Sequence, residues 1–146
     1  MTKRNDIIDA LTGTAKINPD HYSPITSPNR VRSLGYALAG WLYMLRWQKN
    51  TRIQAVASIG SLVVALWLQV DVLRLAILIL TITIVWMAEF LNAAVEAAIN
   101  LSTQEIHPMA KVGKDVASAA VLLGVVASVL IGLLILGPPL VDKLGL

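Results

Sequence analysis

LAILILTITIVWMAEFLNAAVEAAINL, residues Leu75–Leu101, carries the reading of the fold. From Leu75 to Ala88 nothing is charged; then Glu89, Asn92, Glu96 and Asn100 follow at spacings of three, four and four. At about 100° per residue these four share an arc of roughly 80°, one polar stripe on an otherwise apolar helix. About 20 helical residues cross a hydrocarbon core, so a span entering near Leu75 leaves near Val95. Glu89 then sits within the membrane and Glu96 near its interface. A carboxylate at that depth costs on the order of several kcal/mol unless protonated, paired or hydrated, so such a residue faces a bundle interior or a wet cavity. Holding helices together explains less, because a cross-helix polar contact in lipid is worth about 0.6 kcal/mol.

Two further apolar runs flank this one, Ile53–Val70 and Val116–Leu136. Continuous runs of this length predict helices, since membrane strands alternate over segments of about 10 residues. The whole composition agrees. Of 146 residues 56% are hydrophobic and 14% charged, and the mean hydropathy is +0.69. That excludes an ordinary soluble domain, nearer 25% charged, and excludes disorder. With no cysteine, disulfide scaffolds and thiolate chemistry are excluded as well. The expected fold class is all-α integral membrane, with three transmembrane helices preceded by an amphipathic interfacial helix.

Orientation follows from the basic residues. Lys3, Arg4, Lys16, Arg30, Arg32, Arg46, Lys49 and Arg52 precede the first span, whereas Arg74 stands alone between the first two. Lys111 and Lys114 lie in the second connection and Lys143 near the end. The N-terminus and the second connection are therefore expected on the cytoplasmic side of the plasma (inner) membrane, with a short Gln69-Val70-Asp71 turn opposite. Gly137-Pro138-Pro139 is expected to end the third helix. Residues 1–29 lack the apolar run of a signal peptide and contain Asn18-Pro19-Asp20, Ser23-Pro24 and Ser27-Pro28. They read as an N-terminal cytoplasmic extension to a domain of residues 30–146.

From Arg30 to Lys49 the pattern is amphipathic. Val31, Leu34, Leu38, Trp41, Leu42 and Leu45 recur at helical spacing, with Arg30, Arg32, Arg46 and Lys49 at the ends. Trp41, Tyr43 and Trp47 suit the headgroup level. An interfacial helix is the reading, either a plain anchor or a gate for substrate.

The second connection adds groups complementary to the stripe. Glu105-Ile106-His107-Pro108 is a polar turn, and Lys111, Lys114, Asp115 and Ser118 share one face of the following helix. Two ammonium groups and a carboxylate are expected to meet the stripe at a cytoplasmic mouth. Carboxylates hold Mg²⁺ and lysines pair with phosphates, so the cluster suggests a metal–nucleotide site. No G-x-x-x-x-G-K-[ST] or G-x-G-x-x-G occurs, which excludes a P-loop or Rossmann enzyme. A small proton-coupled transporter or a structural membrane subunit would also place glutamates inside a bundle, but has no need of the Lys111–Asp115 cluster.

These residues resemble the prokaryotic membrane diacylglycerol kinase and undecaprenol kinase family. Its E-x-x-N-[ST]-A-[IV]-E signature is similar to Glu89-Phe90-Leu91-Asn92-Ala93-Ala94-Val95-Glu96, and its H-P-[LM]-A-[KR]-x-[AG]-K-D segment to His107–Asp115. Ser33–Gly40 and Gln48–Arg52 resemble the family's surface helix and its junction with the first span. The resemblance implies a homotrimer that transfers the γ-phosphate of MgATP to a membrane lipid hydroxyl, diacylglycerol giving phosphatidic acid or, in the alternative, undecaprenol. Nucleic acid is not an expected partner. Carried onto matching positions, Glu89 would be the base and contact the lipid. Glu96 and Gln48 would hold Mg²⁺. Tyr36, Asn92, Glu105, His107, Lys114 and Asp115 would bind nucleotide, and Ser118 would lie by the lipid.

The chain departs from the family pattern at four places. Gln48 replaces a metal-binding glutamate, a weaker Mg²⁺ donor. Asn100 stands where Asp is common, Ala93 where a small hydroxyl residue is common, and Gln54 where many relatives have His. The base and the Lys114-Asp115 pair are intact.

Overall fold

The computed structural model describes residues 29–102 and 107–145. They form four helices, α1 (Arg30–Trp47), α2 (Lys49–Trp67), α3 (Val72–Ser102) and α4 (Pro108–Leu144). Two compact units are distinguished, residues 1–41 and 42–146. Of the first, the described part is the beginning of α1, started by Asn29, whose Oδ1 accepts from Val31 N at 2.9 Å. Every residue from Arg30 to Trp41 is exposed, Leu34 and Leu38 included.

In the second unit a single non-helical residue separates α1 from α2. Gln48 adopts φ −95° and ψ 112°, while Gln48 N still donates to Met44 O at 3.0 Å and Arg52 N to Gln48 O at 3.4 Å. Helical bonding thus bridges the break, and α2 begins four residues before its apolar run. That polar first turn holds Lys49, Asn50, Thr51 and Arg52.

The predicted turn at Gln69-Val70-Asp71 is present. Gln69 takes φ 55°, a left-handed conformation unusual for a residue with a Cβ. The geometry is a Schellman ending. Val70 N donates to Ala65 O at 3.2 Å and Gln69 N to Leu66 O at 3.1 Å. The hydrophobic contact that accompanies this motif is here too, since Ala65 belongs to the core and Val70 packs against it. Asp71 then starts α3, its Oδ1 accepting from Arg74 N at 3.1 Å.

The third helix runs further than its prolines predict. α4 continues through Pro138 and Pro139 to Leu144, so the expected end at Gly137 is corrected. Each proline removes one donor, but its fixed φ is helical, and apolar surroundings favour keeping every other backbone bond. The stop comes at Gly145, left-handed at φ 70°, whose N–H returns to Asp142 O at 3.3 Å. Lys143 fastens this end: its Nζ donates to Trp67 O at 2.7 Å and lies 4.6 Å from the Trp67 ring centroid.

Packing is thin for so apolar a chain. The core is Ala65, Leu78 and Ile135, with Leu62, Val70, Leu75, Ile82, Ile131 and Leu136 against it. Leu80, Ile84, Leu122, Leu123, Leu133 and Leu134 are all exposed. A chain surrounded by water would not keep that much contiguous apolar surface. Two helices, α3 and α4, are long and apolar enough to cross a membrane. At about 1.5 Å per residue they reach about 46 and 55 Å, beyond the roughly 30 Å of the core. The protein is a membrane protein built of helices.

Candidate functional site

The site lies where α3 ends and α4 begins, hereafter the mouth; the Leu68–Asp71 turn and Gly145 mark the far end. α3 carries its polar stripe toward α4 at this end. Asn92 Oδ1 accepts from Ser118 Oγ at 3.4 Å, and Asn100 Oδ1 accepts from Lys114 Nζ at 2.6 Å. Both contacts cross between the helices. Gly113 lies at this crossing, beside the side chain of Ile99. A Cβ there would fall 2.9 Å from Ile99 Cδ1, inside van der Waals contact.

The α4 face expected to meet the stripe as a unit is divided. Helical geometry orders it Lys114, Ser118, Lys111, Asp115 across an arc of roughly 100°. The near edge, Lys114 and Ser118, meets α3. The far edge pairs with itself, Lys111 Nζ donating to Asp115 Oδ2, with side chains 74% and 61% exposed. One ammonium therefore reaches the stripe, and the Asp115 carboxylate does not.

His107 opens α4 as its N-cap. Its Nδ1 accepts from Met109 N at 3.2 Å, with Pro108 in the first turn where no N–H is needed. That duty leaves Nε2 as the ring atom available to a ligand. Glu96 is exposed on the same stripe. Gln48 is half-buried at the α1–α2 break, and its side chain makes no capping bond. Tyr36 is exposed on α1 in the first unit. Glu105 falls outside the described residues.

Glu89 is different from all of these. It is 4% exposed and lines a groove of about 420 Å³ between α2, α3 and α4. Toward the mouth the groove is bounded by Asn50, Gln54 and Glu89, and beyond them by apolar side chains such as Val85, Val121 and Val125. On α4 it runs from Val121 to Gly132, about 16 Å. A carboxylate at one end of an apolar slot matches a ligand with a polar head and a hydrocarbon body.

Ser58 and Ser61 of the lining are absent from the residues that the sequence pattern points to. Trp86 Nε1 donates to Ser58 Oγ at 3.1 Å, tying α3 to α2 beside the groove. Gln54 Nε2, on the groove wall, is buried with no hydrogen-bond partner. Burying such a group costs about 1–3 kcal/mol, so a polar ligand atom would relieve it. The legible signal was the interruption of an apolar run by Ser58 and Ser61; which neighbour they face was not legible.

Among the described residues no three His, Cys, Asp or Glu side chains cluster to hold a metal ion. Mg²⁺ does not require such a cluster, because it keeps waters and binds through one or two carboxylates plus substrate phosphates. Glu96, an exposed carboxylate, suits that mode.

Residues 35–136 match the family model described as prokaryotic diacylglycerol kinase. A diacylglycerol kinase of Synechocystis sp. is 37% identical over 80% of this chain and 67% of its own length. The diacylglycerol kinase of Escherichia coli is 31% identical over 68% of this chain and 82% of its own. An undecaprenol kinase of Bacillus subtilis is 33% identical over 75% of this chain and 89% of its own.

Proposed function

The chain belongs to the prokaryotic diacylglycerol kinase family, and from that we propose that it transfers the γ-phosphate of ATP to the hydroxyl of diacylglycerol, giving phosphatidic acid. The observation that carries this reading is Glu89, a buried carboxylate at the polar end of an apolar groove. The lipid body lies along α4 in the groove, which brings its hydroxyl to Glu89. Glu89 takes the hydroxyl proton as the lipid oxygen attacks the γ-phosphorus. The bond to the β-phosphate oxygen breaks, and ADP leaves. Such chemistry is largely positioning and charge neutralisation.

Lys114 contacts the phosphates, and His107 Nε2 and Glu105 contact the rest of the nucleotide. Asp115 joins them once Lys111 turns aside. Asn92, held by Ser118, fixes the approach between base and phosphate, and Ser118 borders the lipid. Glu96, with Gln48 as a weaker donor, would hold Mg²⁺ arriving with ATP. When bound, the ion neutralises charge on the transferring phosphoryl group. Membership in a kinase family sets aside the transporter reading.

The membrane arrangement belongs to the same proposal. α2, α3 and α4 cross the inner membrane with the mouth and N-terminus cytoplasmic, and α1 lies on that surface. α2 is 19 residues long, about 28 Å, enough to cross despite its polar first turn. Three copies assemble, covering the apolar faces that one copy leaves open. Residues 30–146 are the kinase domain and residues 1–29 an extension.

The acceptor has one rival. The Bacillus subtilis undecaprenol kinase is about as similar to this chain as the Escherichia coli diacylglycerol kinase, which favours undecaprenol as a second reading. Purified protein in lipid nanodiscs, given radiolabelled ATP and either lipid, decides. Label in phosphatidic acid is expected. Label only in undecaprenyl phosphate would replace the acceptor, and no labelled lipid would overturn the proposal.

A further inference from the structure

The groove wall holds a donor with nothing to donate to. Gln54 lines it beside Asn50 and Glu89, and among the described residues its Nε2 is buried with no hydrogen-bond partner. Asn50 and Gln54 share one face of α2, Asn50 exposed and Gln54 one turn, about 6 Å, further in. Beyond Gln54 the lining is mostly apolar, and the hydroxyls set into it are occupied. Ser61 Oγ donates to Ser58 O at 2.9 Å, Thr81 Oγ1 to Ile77 O at 2.7 Å and Ser128 Oγ to Val125 O at 2.9 Å. Ser58 Oγ accepts from Trp86 Nε1. An amide N–H shut away from water without an acceptor is unfavourable, and a ligand carrying an oxygen at that depth relieves it.

The two candidate acceptors differ just behind their hydroxyl. In diacylglycerol the neighbouring carbon carries an ester, so a carbonyl oxygen lies a few bonds from the hydroxyl, and a second ester follows. In undecaprenol only hydrocarbon follows. We infer that Gln54 is a specificity-determining residue, whose Nε2 donates to an ester carbonyl oxygen of the lipid and so selects an acylglycerol over a polyprenol. The inference deepens the proposed function, since it rests on the groove as the lipid site. Rejection of the polyprenol follows from the same atom. Seated in the groove, a polyprenol lays hydrocarbon against the buried N–H and leaves it unpaired. A site built to hydrogen-bond a substrate group discriminates strongly against an analogue that lacks it.

The test uses the full chain in nanodiscs of diether phospholipid, which present no other ester. The acceptors are a 1,2-diacylglycerol and the 1,2-dialkylglycerol of the same chain length, which keeps the hydroxyl and lacks both carbonyl oxygens. Wild type should favour the diester about tenfold in kcat/KM, the scale of one hydrogen bond to a buried donor. The difference should appear in KM for lipid and not in KM for ATP. Gln54→Met, similar in length but without a donor, should bring the two acceptors within about twofold and narrow the gap between diacylglycerol and undecaprenol. Binding without ATP, read as the rise in unfolding temperature on adding each lipid, should show the preference in wild type and lose it in the variant. Equal use of diester and diether by wild type would overturn the inference. So would a preference that survives in Gln54→Met, including an equal loss on both acceptors, which would mark Gln54 as support for Glu89 or for the fold. Wild-type protein that the diester stabilises more than the diether, but that labels no lipid, would defeat the kinase reading alone, and the role of Gln54 would stand.

Discussion

The two ends of the bundle use lysine in opposite ways. At the far end Lys143 is spent on structure, donating to the last carbonyl of α2 and resting on the Trp67 ring. Asp71 and Arg74 are likewise occupied, pairing at 3.1 Å while the Asp71 carboxylate also caps α3. At the mouth Lys114 touches a neutral oxygen, Glu96 is exposed, and Gln54 Nε2 is buried without a partner. One end satisfies its polar groups and packs the core of Ala65, Leu78 and Ile135 beside them. The other holds its polar groups in place and leaves their capacity open. The difference sets an end closed by structural contacts against the end proposed above to hold the active site.

The sharpest way to break that division is at Glu89. Glu89→Gln keeps size and polarity but removes the proposed base, and lipid phosphorylation should fall about 10²–10⁴-fold with thermal unfolding in detergent little changed. Comparable losses of activity and stability would show that Glu89 is structural. Next in size is the crossing at the mouth. Gly113→Val adds bulk against Ile99, and overpacking of this kind costs about 1–3 kcal/mol. Ile99→Ala should recover part of the loss in a denaturation series; failure to do so would mean that the crossing is not what Gly113 protects.

At the far end Lys143→Met removes a carbonyl bond and a cation–π contact together, for a loss of about 1–2 kcal/mol. Its kcat at a permissive temperature should equal that of wild type. A fall in kcat without a fall in stability would show that the two ends are coupled. The smallest effect belongs to Gly124→Ala. A Cβ there would sit 3.7 Å from Val85 Cγ2, an ordinary contact, and alanine restrains the unfolded chain. Stability should hold or rise by about 0.4–1 kcal/mol. A marked loss would place an unrecognised close approach in mid-bundle.

Much of this was legible in the chain. The period of Glu89, Asn92, Glu96 and Asn100 put them on one face, and the structure turns Asn92 and Asn100 of that face to α4. The turn at Gln69–Asp71 was legible from the polar gap between two apolar runs. The end of α4 was not, because a local rule about proline competes with a demand of the surroundings that every other backbone bond be kept. The mouth was half legible. Spacing placed Lys111, Lys114, Asp115 and Ser118 together, but an arc of roughly 100° is wide enough for its two edges to find different partners.

Composition, helical period and residue-by-residue signatures suffice for the presence of the helices, the membrane class and the family. Tertiary structure decided which lysine meets a carboxylate and which an amide, that Glu89 borders a groove, and that Lys143 closes the far end on Trp67. Helical period fixes direction around one axis only. Partner choice depends on how closely two axes approach and on which side chains meet there, as Ile99 meets Gly113 where α3 and α4 cross.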